Sequence, residues 1–495
     1  MFRRMTIAGA CTVLLSMGCG GGADTDADAT PEPVDATSAL ADVAAAMGAE
    51  SLDSITYSGT GFQIRNSFLQ TPNASPPWPG DDITNYQRTI DLTQPASRAT
   101  GETFREPLFL GGPVPGTYNQ NIPATQTDWA QQLEIWITPW GFLQGAEANG
   151  AEATSQQIDG RQYTVATWMS PATQASPSGL QYTVTGYIND QNLIERVETW
   201  VEHPMLGDMH VQNLYSNYTD FGGVMVPTTM VQERGGGRVF EVTVADATAN
   251  PPNVAELLTP PEGEGGRGRG AGPGGGPGRG GAGDAPTDLV EEIADGVYLV
   301  GGGYVALVAE FADYLAVFEG GQSEARGQQI VDEVKRAIPN KPIRYIINSH
   351  PHSDHSSGLA PFLREGATLV TQANNVAFLD MAFSTPRTLL GQPTMDPPVE
   401  GVAEMMVLED DTMRLELHHI PNLHTDGMLV AYLPEQRILF QADFTLPQPG
   451  QAANPFVVAL AENVERLGLD FDRYLAVHAA PMPQTRADLM AALER

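Results

Sequence analysis

Cysteine is nearly absent from this chain. Cys11 and Cys19 are the only two in 495 residues, so everything after them can build neither a disulfide framework nor a thiolate metal site. Positive charge is scarce as well. Lysine and arginine total 26 against 60 aspartates and glutamates, a net charge of −34. Such a surface repels nucleic acid and anionic lipid, so no nucleic-acid partner is expected. It also disfavours a polyanionic substrate unless a bound cation reverses the local field. Long apolar runs are missing too: Met5 to Met17 is too short to cross a membrane, and no later stretch qualifies.

What is present begins with an export pattern. Arg3 and Arg4 precede the apolar run, and Gly18-Cys19 follows it. This resembles a bacterial lipoprotein signal and implies an exported, periplasmic or outer-membrane protein attached to the membrane through a lipid on Cys19; the alternative is an ordinary secretory signal cleaved nearby. One departure is Ser16, which stands where such signals prefer a large aliphatic residue. Residues 20–37 are small, acidic and proline-containing, which predicts a disordered tether. A second break lies at residues 262–286. There glycine and proline dominate, and Arg267, Arg269 and Arg279 are the only cations. That composition buries too little to offset backbone entropy and predicts a flexible linker. The chain thus divides into a unit at 38–261 and another at 287–495, as its length requires.

The first unit reads as a helix, Ser38 to Met47, followed by alternating β runs: Ile55 to Ser58, Tyr86 to Leu92, Leu133 to Ile137 and Gln162 to Trp168. Gln181 to Ile188 and Leu193 to Val201 form a hairpin across Asn189 to Asn192, and Val211 to Tyr218 and Val239 to Val244 add two more strands. The antiparallel pattern, with the phrase Asp220 to Thr228, resembles the curved half-barrel of periplasmic lipoprotein carriers. After the linker, strands alternate with helices. Short β runs at Val297 to Val300, Tyr304 to Ala309 and Tyr314 to Phe318 precede an amphipathic helix, Gln322 to Ala337, and a buried strand, Ile343 to Asn348. That is an α/β layered unit behind a separate β-rich antiparallel one.

The buried strand runs straight into His350-Pro351-His352-Ser353-Asp354-His355. Three imidazoles and a carboxylate within six residues form a donor set suited to zinc and similar divalent ions, and a surface turn has no use for them. His350 and His352 can serve one ion while Asp354 and His355 reach a second. Three more donors sit at or near strand ends: His424 before Met428 to Leu433, Asp443 after Arg437 to Ala442, and His478 after Tyr474 to Val477. His418 and His419 precede the His424 loop and read as strand-end residues or as support behind the site; His203 and His210 lack metal-like partners and are assigned no role.

Over residues 289–490 these motifs closely resemble the metallo-β-lactamase superfamily. The resemblance implies a four-layer αββα sandwich holding two divalent metal ions, zinc being the expected identity. His350, His352 and His424 would hold the first; Asp354, His355 and His478 the second; Asp443 would bridge them. Two departures stand out. Glu319 occupies a place where many members carry aspartate, and His478 lies in Val-His-Ala-Ala rather than a glycine-flanked turn.

The expected function is hydrolysis by a metal-bridging hydroxide, with Asp354 as catalytic residue, on a small-molecule ester, lactone or thioester. Within the superfamily, β-lactamases place cysteine or no ligand at the bridging position, whereas thioesterases, lactonases and several phosphodiesterases use aspartate; β-lactam hydrolysis is therefore the lesser alternative. The other alternative is a carrier, with an apolar ligand in the β-rich unit and a structural metal domain behind it. The apolar stretch Val376 to Phe383 reads either as a pocket wall or as helix packing.

Overall fold

The computed structural model describes residues 31–64, 70–71, 73–105, 114–126, 128–261, 289–447, 452–478, 484–491 and 493. The export signal, Cys19 and the glycine-rich linker lie outside them. The tether expected over 20–37 is described only from residue 31, and there it is structured. Glu32–Val34 pairs antiparallel with Glu152–Ile158, and Asp35 caps the helix Ala36–Met47 by accepting from the Thr37 and Ser38 amides.

The N-terminal unit is built on one twelve-stranded sheet. Glu32–Val34 lies at one edge, followed by an antiparallel meander from Glu152 to Ala249 and a second from Ser54 to Ile122. The two meanders join where Gly237–Ala249 pairs with Ser54–Ile64. The β runs read from the sequence fall on strands, with one correction. Leu133 to Ile137 belongs to a helix, Trp129–Trp136. Asp128 caps it, and Trp129, Gln132 and Leu133 are buried at helical spacing, with Ile135 buried as well, so burial in the bend overrides the strand-like alternation of Leu133 to Ile137. This helix and the next, Pro139–Asn149, lie in the bend of the sheet. Arg88 donates to the Glu134 carbonyl, the Tyr215 hydroxyl to the Ile137 carbonyl, and Trp168 meets Trp129 and Phe142. Strands far apart in the sheet touch the same two helices, so the sheet curls round them. A buried Arg234–Glu134 ion pair fastens the filling to the wall.

The C-terminal unit has the expected four layers. Its first sheet orders Val290–Ala294, Val297–Val300, Ala306–Glu310, Leu315–Phe318, Ile343–Ile347, Thr368–Gln372 and Val399–Val402, antiparallel at first and parallel from Leu315–Phe318 onward. Its second orders Met405–Glu409, Arg414–His419, Leu429–Leu433, Ile438–Gln441 and Arg473–Ala476. Side chains alternate between faces. Leu307, Ala309, Phe318 and Ile347 pack between the sheets, whereas Val308, Leu315, Val317 and Ile346 face an outer helix layer. That layer includes Glu324–Ala337, capped by Ser323, with Glu324 in its first turn, Lys335 and Arg336 in its last, and Ile330, Val331 and Val334 buried. Phe378, Leu379, Ala382 and Phe383 of the helix Val376–Ser384 are also buried in this core, so most of that apolar stretch is packing rather than pocket wall.

The outer-layer core and the core of the N-terminal unit are continuous. Polar ties reinforce the junction. The buried Arg387 donates to the carbonyls of Pro204 and Met205 at 2.8 and 2.6 Å, and the Asp208 carboxylate accepts from the amides of Thr388 and Leu389 at 3.0 and 2.9 Å.

Candidate metal centre

The site grows from the end of the parallel strand Ile343–Ile347. Asn348 leaves that strand and donates its side-chain amide to the His355 carbonyl at 3.2 Å, closing the histidine loop on itself. Ser353–Ser356 forms one short helical turn, with the amides of His355 and Ser356 donating to the His352 carbonyl. Gly358 then passes so close to the neighbouring loop that a Cβ would sit 2.0 Å from the Gly320 carbonyl oxygen. Only glycine allows that approach, which fixes the loop against the sheet.

All seven predicted ligands converge. The donor atoms of His350, His352, His424 and Asp443 lie within 4.8 Å of one another, and so do those of Asp354, His355 and His478. Asp443 stands between the groups. Its Oδ2 is 3.0 Å from the Nε2 atoms of both His350 and His424 and 3.3 Å from His355 Nε2, while its Oδ1 is 2.6 Å from His478 Nε2. Donors around a tetrahedral ion with bonds of about 2.0–2.1 Å stand roughly 3.3 Å apart. The nitrogens of His350 and His424 are 3.3 Å apart and those of His355 and His478 are 3.2 Å apart, so the donors fit two such ions.

The other ring nitrogens are held from outside. His350 Nδ1 meets the Ser349 hydroxyl at 2.9 Å, His355 Nδ1 the Glu319 carboxylate at 2.8 Å, and His352 Nε2 the Thr71 carbonyl at 3.0 Å. Each contact fixes a ring and decides which nitrogen faces the cluster: Nε2 for His350 and His355, Nδ1 for His352. Glu319 does more. Its second oxygen accepts the Ser349 amide at 3.0 Å, and it holds a left-handed backbone, φ 84°, while fully buried. The longer carboxylate therefore holds His355 directly, despite its departure from the family's aspartate.

Electrostatics follow the same geometry. Burial, then the neighbouring imidazoles, holds His350 well below its ordinary range; burial and His424 push His352 down to about 4. Neutral imidazoles are the form that ligates metal. For His355 burial acts the same way, but Glu319 and Asp443 override it and raise the group. Burial works against ionising Asp354 and Asp443, yet the facing histidines hold both carboxyls far below the usual carboxylate range. Anions and imidazoles this close, in a partly buried cluster, form a site whose charge balance calls for cations.

Residues 289–494 match the family model of the metallo-beta-lactamase superfamily. The C-terminal unit is a metallo-beta-lactamase domain. It carries that superfamily's hydrolase fold with two His/Asp groups placed to hold metal. No curated protein matches the chain. Among solved structures, a metallo-beta-lactamase from Pontibacter korlensis is 16% identical, covering 42% of this chain and 98% of its own, with a TM-score of 0.33. A metallo-beta-lactamase from Hirschia baltica is 18% identical over 41% of this chain and 95% of its own, at 0.32. An inverting sec-alkylsulfatase from a Pseudomonas species is 15% identical over 41% of this chain and 40% of its own, also at 0.32.

Three contributors to this metallo-beta-lactamase site escaped the sequence reading. Tyr304 places its hydroxyl 3.1 Å from Asp354 Oδ2 and its ring against His355 and His478. Burial, then Asp354, pushes its phenol up to about 12. Gln70 and Thr71 come from the other unit altogether, touching Asp354 and His352 across nearly 300 residues of sequence. Tyr304 had one local signal, the run Gly301-Gly302-Gly303 before it, which frees the backbone of that loop. His418 and His419 stay outside the cluster, on Glu416 and the Asp426 carbonyl.

Proposed function

We propose that the metallo-beta-lactamase domain is a two-metal hydrolase acting on a carboxylic ester, lactone or thioester. The observation that carries this is Asp443, whose two oxygens face the two histidine groups at 2.6–3.3 Å. A bridging carboxylate at this place accompanies thioesterases and lactonases in the superfamily, whereas β-lactamases put cysteine or nothing there. The strongly acidic surface further favours an uncharged reacting group over a polyanion.

His350, His352 and His424 would hold one ion and Asp354, His355 and His478 the other, with Asp443 shared. Two bound divalent ions supply a water acidified towards neutrality and a Lewis acid for the substrate carbonyl. The protein supplies direction. Asp354 Oδ2 faces the cluster, 3.5 Å from His355 Nε2 and 3.9 Å from His478 Nε2, and orients the attacking water by accepting its hydrogen bond. Tyr304, a phenol protonated at neutral pH like any ordinary tyrosine, is a neutral donor beside the same oxygen. The carrier alternative is disfavoured by the filling of the sheet's bend with Trp129, Trp140 and Phe142, all buried, where an apolar cargo would lie.

The test is metal content together with a panel of ester, lactone, thioester, β-lactam and phosphodiester substrates. Close to two ions per chain and turnover of an acyl substrate are expected, with Asp443→Ala losing metal and about 10³-fold or more of the activity. Full metal occupancy with every substrate intact would overturn the hydrolase reading. Preference for β-lactams would overturn the substrate class.

A further inference from the structure

Between the strands Ser54–Ile64 and Gly80–Asp91 of the N-terminal sheet, Gln70 and Thr71 lie against the histidine loop of the other domain. The Gln70 side-chain amide lies 3.0 Å from Asp354 Oδ1 and 3.0 Å from the Ser353 hydroxyl oxygen. The neighbouring Thr71 carbonyl accepts from His352 Nε2 at 3.0 Å. Thr71 is buried, and its hydroxyl donates back to the Asn73 carbonyl at 2.9 Å. The loop is anchored behind this point: Trp78 is buried with its indole N–H on the Ala74 carbonyl, and Gly237 packs against Pro76 and Trp78 too closely to admit a Cβ. A second N-terminal segment touches the same metal loop, where the Ser356 hydroxyl meets Met205 Sδ at 3.2 Å. Met205 in turn belongs to the stretch pinned by Arg387 and Asp208.

The two oxygens of Asp354 are thereby divided. Oδ2 faces the histidine cluster and Tyr304, while Oδ1 is taken by Gln70. A carboxylate that ligates through one oxygen is oriented by a donor on the other, and a ligating imidazole by an acceptor on its outer nitrogen. Gln70 and Thr71 make one such contact to each of the two proposed metal positions: Asp354 for one, His352 for the other. Nothing in the C-terminal domain substitutes for either contact among the described residues.

We infer that the metal centre is composite across the two domains, and that Gln70 is a positioning residue that orients Asp354 toward its ion. This rests on the assignment of His352 and Asp354 as metal ligands. The N-terminal domain then acts on catalysis through the metal site itself, independently of any ligand of its own.

The experiment uses the full chain with Gln70→Met, which keeps the side chain's length but removes its N–H donors, and with Gln70→Glu and His352→Ala. Metal affinities are measured by competition with a chromophoric chelator, and ligand geometry by the d–d absorption of the Co²⁺-substituted protein. For Gln70→Met, one of two ions should be held about tenfold or more weakly and the Co²⁺ bands should shift, with the unfolding temperature little changed. For an acyl substrate, kcat should fall with KM held. Gln70→Glu, which sets a second carboxylate against Asp354, should not restore the parent spectrum. Parent-like affinities and bands in Gln70→Met, alongside metal loss in His352→Ala, would overturn the role of Gln70 while leaving the metal assignment standing. A parent chain that binds no metal would overturn both.

Discussion

His355 donates its Nδ1–H to Glu319 at 2.8 Å, and Glu319 in turn accepts the Ser349 amide, so one buried carboxylate ties this histidine to the start of the motif loop. Replacing it tests the tie. Glu319→Gln keeps the shape but weakens the acceptor and removes its charge. It should lower the affinity for one ion by about 10–100-fold while leaving the other within a few-fold. Glu319→Ala should in addition destabilise the fold by about 1–3 kcal/mol, because two buried donors lose their partner. Stepwise metal titration followed by denaturant unfolding would show both effects; equal loss at the two metal positions would contradict the arrangement.

Removing metal should loosen the whole chain. Ligands that bind only the folded state stabilise it by mass action, about 4 kcal/mol when the free ion is a thousandfold above its dissociation constant. Chelator treatment should therefore lower the unfolding temperature, and added Zn²⁺ should restore it. An unfolding temperature insensitive to chelator, in protein shown to have held metal beforehand, would argue that the cluster is not a strong site.

Tyr304→Phe removes the hydroxyl beside Asp354 Oδ2 but keeps the ring that packs on His478 at 4.5 Å. Metal content should stay as in the parent, and kcat should fall by about 10-fold, within the range of a lost donor to an ionised group. A fall in metal content matching the fall in rate would instead make the tyrosine part of the scaffold.

A pH effect is expected outside the histidine cluster. His203 accepts the amides of Met205 and Leu206 through Nδ1, at 3.2 and 3.1 Å. Burial first, then the charges of Arg387 and Arg234, pushes its imidazole down to about 4. The folded chain keeps this ring neutral where the unfolded chain, with a value near 6.5, is already protonated. Its contribution is complete above about pH 6.5 and is lost as pH falls from there to about 4, amounting to roughly 3 kcal/mol. Denaturant unfolding between pH 7 and 4.5 should show a shallower slope in His203→Gln than in the parent; parallel slopes would assign the pH dependence to other groups.

Arg387→Ala tests the junction of the domains. The guanidinium is fully buried on the carbonyls of Pro204 and Met205. Its loss leaves those carbonyls and a cavity unfilled, at a cost of about 3 kcal/mol or more. Calorimetry should then resolve two unfolding transitions. A single, merely shifted transition would mean that the shared apolar core alone couples the units.

The candidate metal donors were legible because their chemistry is local. His350 to His355 crowd four donors into six residues, and His424, Asp443 and His478 each sit near the end of an apolar run that can only be a buried strand. Strand alternation also showed most of the N-terminal sheet. The helix Trp129–Trp136 was misread because Leu133 to Ile137 alternates as a strand would, and only the bend of the sheet around it gives those side chains a helical partner surface. The support from Gln70 and Thr71 had no sequence signal. A carboxamide and a backbone carbonyl are unremarkable in themselves; they acquire a role when folding carries them across 281 and 284 positions.

The core shared by the two domains has a practical consequence for anyone dissecting this protein. A chain begun at Leu289 would keep all seven candidate donors, yet it would leave the Arg387 guanidinium without the carbonyls of Pro204 and Met205 and uncover Leu389, now buried. Expressed alone, the hydrolase domain becomes a problem of solubility before it is one of activity, and an inert or precipitated fragment would say nothing about the chemistry of the intact chain.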